Sequence, residues 1–197
     1  MIHETVVTTV TPDGTPHIAP MGVRREGDTF ILMPFLPSAT YDNVVLTGCA
    51  VVNFTTDVRV FAGCVTGRRA WPTVPVDNVP CVRLDDTLAY AELRLVSING
   101  DPQRPTLVMQ CVAICTDAPF TGFNRAQAAV IEGAVLVSRL AMLPREKIES
   151  EIAYLSIAIG KTAGPREQQA WQWLMEAVNV FYAKSAAAAQ VSIEEAL

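Results

Sequence analysis

The chain has 197 residues, half of them apolar and only 18% charged, with a net charge of -5 and a pI near 5.0. That length fits one domain with a helical appendage, and the apolar share supplies a sizeable core. The acidic balance argues against nucleic-acid binding, which needs a basic face. No apolar run approaches the roughly 20 residues of a membrane span. The opening "MIHETVVTTV" lacks the basic and apolar segments of a signal peptide. A soluble, cytoplasmic protein is expected.

The first two-thirds reads as β. "ETVVTTV" leads through "TPDGT", a Pro-Asp-Gly turn, into "PHIAPMGVRR", which predicts a hairpin. "EGD" turns the chain into "TFILMPF". A short helix is expected from Thr40 to Thr47, stopped by Gly48 in a left-handed cap. Three hydroxyl or phenol side chains, Ser38, Thr40 and Tyr41, crowd its start, where a cap needs only one oxygen. "AVVNFTT" and "VRVFAGCVT" read as strands, and 67–87, with its three prolines, as an irregular excursion. "LAYAELRLVSI", the turn "NGDPQRP" and "TLVMQCVAIC" form a second hairpin.

Near Phe123 the period changes. Asn124 followed by Gln127 resembles a capping box ahead of the apolar run "AAVIEGAVLVSRLAML". A second helix is expected from Pro144, with Ile148, Ile152, Leu155 and Ile159 on one face and Gly160 at its end. A third starts at Pro165, a favoured first-turn position. Its Trp171, Leu174, Met175, Val178 and Phe181 make a helical stripe that reads as helix-on-helix core. The tail "SAAAAQVSIEEAL" offers weaker packing. Antiparallel hairpins, one internal helix and a terminal helical unit together predict a closed or partly closed barrel with helices outside it.

The five cysteines suggest no disulfide framework. Cys111 and Cys115 lie four strand residues apart, roughly 13 Å at ~3.3 Å per residue, beyond the ~7 Å between Cα atoms that a disulfide tolerates. They are expected to be core thiols on one strand face. The only histidines are His3 and His17, and there is no CxxC, HxxxH or HExxH, so no metal site is expected. GxGxxG is also absent.

At "SATYDNVVLTGCAVVNFTTD" the sequence resembles the flavin-binding split-barrel proteins, the flavin reductases and pyridoxamine-phosphate-oxidase-like proteins. Members show a hydroxyl-rich turn, a short helix ending in Gly and a strand reading "VVN". Within that superfamily nearly the whole chain is similar to the DUF447 family. The segments that carry the likeness are "ETVVTTVTPDGTPHIAPMGVR", "DVRVFAGCVTGRRAWPTVP" and "PFTGFNRAQAAVIEGAVLVSRL". The resemblance implies a mainly β fold with α: an FMN-binding split β-barrel over 1–122, then a helical subdomain of about three helices over 123–197 packed on it. It also implies flavin mononucleotide (FMN) as cofactor and a homodimer with FMN at the subunit interface.

The resemblance gives the crowded helix start a physical account. A phosphate dianion at a helix N-terminus meets free backbone N–H groups and the positive end of the dipole, and hydroxyls at Ser38 and Thr40 add donors. Capping is the compatible alternative, and Tyr41 is either a contact or a packed aromatic. The three lysines all follow residue 146, so charge pairing falls to arginine, with its bidentate fork. Arg24 and Arg25 face opposite sides of their strand, and Arg24 is favoured. "APMGV" matches the strand along which relatives lay the isoalloxazine ring. Gly22 lets the ring approach and Met21 and Val23 give apolar contact; otherwise Gly22 marks a β-bulge. Asn53 either hydrogen-bonds across the barrel or touches the ribityl chain. Asn124 reads as a helix cap and Arg125, in the first turn, as a candidate anion contact. Trp71 either covers the ring or a substrate, or packs an irregular loop.

Flavin carries its own redox chemistry, so the lack of a catalytic triad or metal set does not argue against an enzyme. The leading reading is an FMN-dependent oxidoreductase. Its substrate is a small molecule or, through the family's association with organisms using tetrahydromethanopterin, a pterin-like cofactor. The rivals are a non-catalytic FMN-binding or electron-carrying module and a flavin-free barrel. His17 is the near-neutral titrating group of this region, either a proton donor or a surface strand histidine.

Overall fold

A Pro12-Asp13-Gly14 turn sets the first hairpin. Gly14, at φ 86°, takes a left-handed conformation that costs glycine little, and its N–H donates to Thr11 O at 2.8 Å. The turn joins β1 (Ile2–Val10) to β2 (Pro16–Glu26), with Thr5 opposite Met21 and Val10 opposite Pro16. After β3 (Thr29–Leu32) the chain enters α1 (Ala39–Thr47), β4 (Cys49–Phe54) and α2 (Arg59–Val65). A small two-stranded sheet, β5 (Thr73–Pro75) with β6 (Val82–Leu84), precedes the long hairpin β7 (Ala89–Gly100) and β8 (Pro105–Thr116). The helices α3 (Arg125–Val137), α4 (Arg145–Thr162) and α5 (Pro165–Glu194) complete the order. The computed structural model describes residues 1–194, and the end of the expected weakly packed tail lies outside them.

β1, β2, β3, β8, β7 and β4 close in that order into an antiparallel barrel. The interior is filled by alternate residues, among them Val7, Val23, Leu32, Val52, Leu93 and Met109. β1 and β4 bury their outer faces too, which explains the continuous apolar run of "CAVVNF". The cover is the 67–87 excursion, which is less irregular than its prolines suggest. Thr8 Oγ1 donates to Val82 O at 2.5 Å. Asn53 Nδ2 donates to Val6 O at 3.0 Å and Thr8 Oγ1 at 3.1 Å, while its Oδ1 accepts from Leu84 N at 2.8 Å. Cys111 and Cys115 do not share a face of β8, contrary to expectation: a register shift at Glu92 and Leu93 sets Cys111 against the barrel interior and Cys115, beside Tyr90, against the outer cluster, both half-buried.

One expected strand is a helix. "VRVFAGCVT" forms α2 because Asp57 accepts from Arg59 N at 3.1 Å and its main-chain carbonyl from Val60 N, which starts a helical turn. Val58, Val60, Phe61, Ala62 and Cys64 are all buried. A short helix covered all round carries no 3.6-residue period and imitates a buried strand.

The chain divides into two compact units: Met1–Val60 with Arg69–Gly122, and 61–68 with the residues from Phe123 onward. In the second unit Gly133 of α3 meets α5 closely; a Cβ there would stand 2.9 Å from the Trp171 ring. Leu140, Ile148 and Val178 form a core joined by Met175 and Phe181 of the expected stripe. Gly160 does not end α4, which runs on to Thr162, since a glycine in the open can stay helical when the flanking turns are packed. Among the described residues no helix is long and apolar enough to cross a membrane.

Asn53 satisfies groups of three strands at a wholly buried position. Replacing it with leucine keeps the volume but strands the Leu84 N–H and takes the amide donor away from Val6 O. At about 1–3 kcal/mol per unsatisfied group, Asn53→Leu is expected to lose about 2–4 kcal/mol in chemical denaturation. A loss below about 1 kcal/mol would contradict this role.

Candidate functional site

α1 enters from an extended Ser38, at φ -146° and ψ 116°. Ser38 Oγ accepts from Tyr41 N at 3.3 Å, and Asp42 N makes the first intrahelical bond to Ser38 O at 3.0 Å. The N–H groups of Ala39 and Thr40 are thereby left at the helix start, where the geometry offers no intrahelical acceptor. Thr40 is buried, and the Tyr41 ring packs against the barrel core. At the other end Gly48, at φ 71°, donates to Val44 O and closes the helix as expected. Ser38 is therefore the cap of α1, its oxygen serving the helix.

The segment before α1 brings in a cation that sequence reading missed. Leu36 N donates to Gln103 O at 3.0 Å, which ties this segment to the β7–β8 turn. The neighbouring Arg104 guanidinium lies 4.3 Å from the centre of the Phe35 ring, and Phe35 is 68% exposed. Arg104 and Phe35 are about 70 residues apart in a loop-to-loop contact, so no local pattern pairs them. Asp42, exposed in the first turn of α1, is the opposing charge.

On β2 the two arginines diverge as alternation requires. Arg24 is exposed on the outer face with Gly22; Arg25 lies on the inner face, its guanidinium 5.4 Å from the centre of the Phe30 ring. Gly22 sits in a regular register and is no bulge. A Cβ there would meet the Ile2 Cγ2 methyl at 2.9 Å, a contact an exposed side chain can relieve. Met21 packs against the interior and Val23 is buried within it. Asn53 bonds neither across the barrel interior nor toward an open site: it faces outward and ties β4 to β1 and to β6 of the cover.

Asn124 and Arg125 belong to the helical unit. Asn124 Oδ1 accepts from Ala126 N at 2.7 Å and Gln127 N at 3.4 Å, and its Nδ2 donates to Thr162 O at 3.0 Å. Gln127 Nε2 donates to Glu167 Oε1 at 3.1 Å instead of returning the capping-box bond. Arg125 is exposed. Trp71 lines a cavity of about 390 Å³ with Asp57, Arg59, Asp85 and Asp86. Burial, and then the charge of Arg69, lowers the His17 pKa below its usual 6.5. At neutral pH His17 is an uncharged imidazole, suited to accept a proton and not to donate one.

This barrel, its inserted helix and the helical unit match known proteins. The N-terminal-domain model of the family described as "Protein of unknown function (DUF447)" matches residues 3–117, and the family's other model matches 124–176. The chain belongs to the DUF447 family. Its fold is shared with an FMN-bound DUF447 protein of Methanosarcina mazei, at 21% identity and a TM-score of 0.78 over 89% of this chain and 94% of that one. A putative flavin reductase with a split barrel domain from Shewanella frigidimarina matches at 11% identity and a TM-score of 0.53, over 64% of this chain and 75% of its own. The 2-nitrobenzoate 2-nitroreductase of Pseudomonas fluorescens matches at 20% identity and a TM-score of 0.50, over 57% and 64%. At these identities the likeness is one of fold: the DUF447 barrel is a split barrel.

Proposed function

We propose that this chain binds FMN with the phosphate at the N-terminus of α1 and acts as a flavin-dependent oxidoreductase on a small molecule. The observation that carries the reading is the helix start, with two unpaired first-turn N–H groups and the Ser38 hydroxyl on a barrel whose relative in Methanosarcina mazei is FMN-bound. Anions bind at such termini because the orphan N–H groups and the helix dipole point the same way. The residues fit the group. Ser38 donates its proton while it caps, Thr40 supports the same turn, and Arg104 supplies the charge that lysine does not. Arg104 displaces Arg24 as the favoured cation, because Phe35 holds it beside the segment that enters α1. The β2 backbone at Met21 and Gly22 is the stretch for the ring. Bound flavin supplies the electron-transfer chemistry, while the chain binds and orients it.

A homodimer with FMN at its interface is part of the proposal. Exposed aliphatic side chains gather on the β7–β8 hairpin, with Val96, Ile98, Val112 and Ile114 all 40% exposed or more. Such patches mark interaction sites more often than free surface. Sedimentation velocity at micromolar concentration is expected to give a dimer, and a flavin-loaded monomer would refute this part.

The phosphate role separates from capping by comparing two ligands. Ser38→Ala with Thr40→Ala removes hydrogen bonds to a charged group worth about 1.5–3 kcal/mol each. FMN affinity is therefore expected to fall at least tenfold by isothermal titration, while binding of riboflavin, which lacks the phosphate, barely changes. The lost cap costs about 1 kcal/mol of stability in the same variant. An unchanged preference for FMN over riboflavin would return both residues to a purely structural role.

A further inference from the structure

A second cavity lies at one end of the barrel interior. His3 and Thr5 on β1, Val23 and Arg25 on β2, Phe30 on β3 and Phe54 on β4 line about 270 Å³. Strand register turns them to one face: His3 pairs with Val23 and Arg25 with Phe30, while Phe54 follows Asn53, the partner of Val6. Exposure is graded along the cavity. Thr5, Val23 and Phe30 are buried and make a floor, Phe54 is half-buried, and His3 and Arg25 stand exposed at the rim.

The floor is apolar in effect, because Thr5 Oγ1 spends its proton on Met21 O at 3.0 Å. Arg25 is held by its Nε, which donates to Gly27 O at 2.9 Å, and by the Phe30 ring below it. Its two terminal amino groups have no protein acceptor among the described residues, and no carboxylate pairs with it there. Glu4 is turned to the opposite face, beside Gly22. An apolar, aromatic floor under one oriented guanidinium is the arrangement of a small-ligand pocket, in which few polar groups fix the orientation. Guanidinium matches a carboxylate with two parallel hydrogen bonds.

We propose that this barrel mouth is a binding site for a small monocarboxylate with a compact apolar body. The carboxylate meets Arg25, and the body lies on Val23, Phe30 and Phe54. A divalent inorganic anion leaves that floor unused, and a neutral analogue leaves the guanidinium unmatched, so both bind more weakly. The proposal needs no flavin and is independent of the phosphate site at α1.

The test is an NMR titration of the full chain with phenylacetate, 2-phenylethanol and inorganic phosphate. Phenylacetate is expected to give saturable shifts at the amides of Thr5, Val23, Phe30 and Phe54, with at least tenfold higher affinity than either comparator. Arg25→Gln is expected to lose tenfold or more in phenylacetate affinity and almost none for 2-phenylethanol. Arg25→Lys, which keeps the charge but not the fork, falls between. Equal affinity for the acid and the alcohol, equal affinity for phosphate, shifts confined to other residues, or unchanged binding in Arg25→Gln would each overturn the assignment. Displacement of phenylacetate by FMN would do so as well.

Discussion

Closure of the barrel between its first and fourth strands is the constraint on which the rest of the structure depends. β1 and β4 pair over only three positions, Val6 with Asn53, Val7 with Val52 and Thr8 with Val51. So short a ladder would make a weak seam, and a split barrel left open there would expose two strand edges. The Asn53 amide reinforces it from outside the ladder, bonding Val6 O and Thr8 Oγ1 on one side and Leu84 N on the other. A buried polar group is costly unless satisfied. Here the bonds tie β4 to both β1 and β6, so burying the amide fixes their register.

Two consequences follow for function. The chain crosses from β3 to β4 through α1, and the helix supplies its own core residue, Val44, to the barrel interior. A helix fixed by its apolar face presents a fixed N-terminus, with orphan N–H groups that need no further ordering to meet an anion. The same closure confines the barrel interior, so that side chains alternate inward until the strands end and leave a cavity bounded by Thr5, Phe30 and Phe54. The proposed anion site at α1 thus draws on main-chain geometry, and the one proposed at the barrel mouth on a side-chain fork.

Much of the barrel was legible in the sequence because its signals are local. Pro12-Asp13-Gly14 and the turn at 101–104 each fix a hairpin, and Gly48 ends α1 in the left-handed conformation expected of it. Residues 58–66 were misread because burial on all sides erases helical period. The order within 67–87 was missed because β5 and β6 are three residues each, paired with one another and held through bonds from β6 to the distant β1 and β4. At the candidate site, Ser38 and Thr40 were visible as a cluster of hydroxyls at a helix start. Arg104 was not, since nothing near "DPQRP" announces a contact with Phe35. At Gly22 the regular register removes the β-bulge alternative that the sequence left open.

FMN binding by this DUF447 chain is tested most directly by the visible absorption spectrum of the freshly purified protein after saturation with FMN and desalting. A retained flavin band is expected, with FMN identified by mass after acid release, at one per chain. A desalted protein with no flavin absorbance, and no binding by titration, would contradict it.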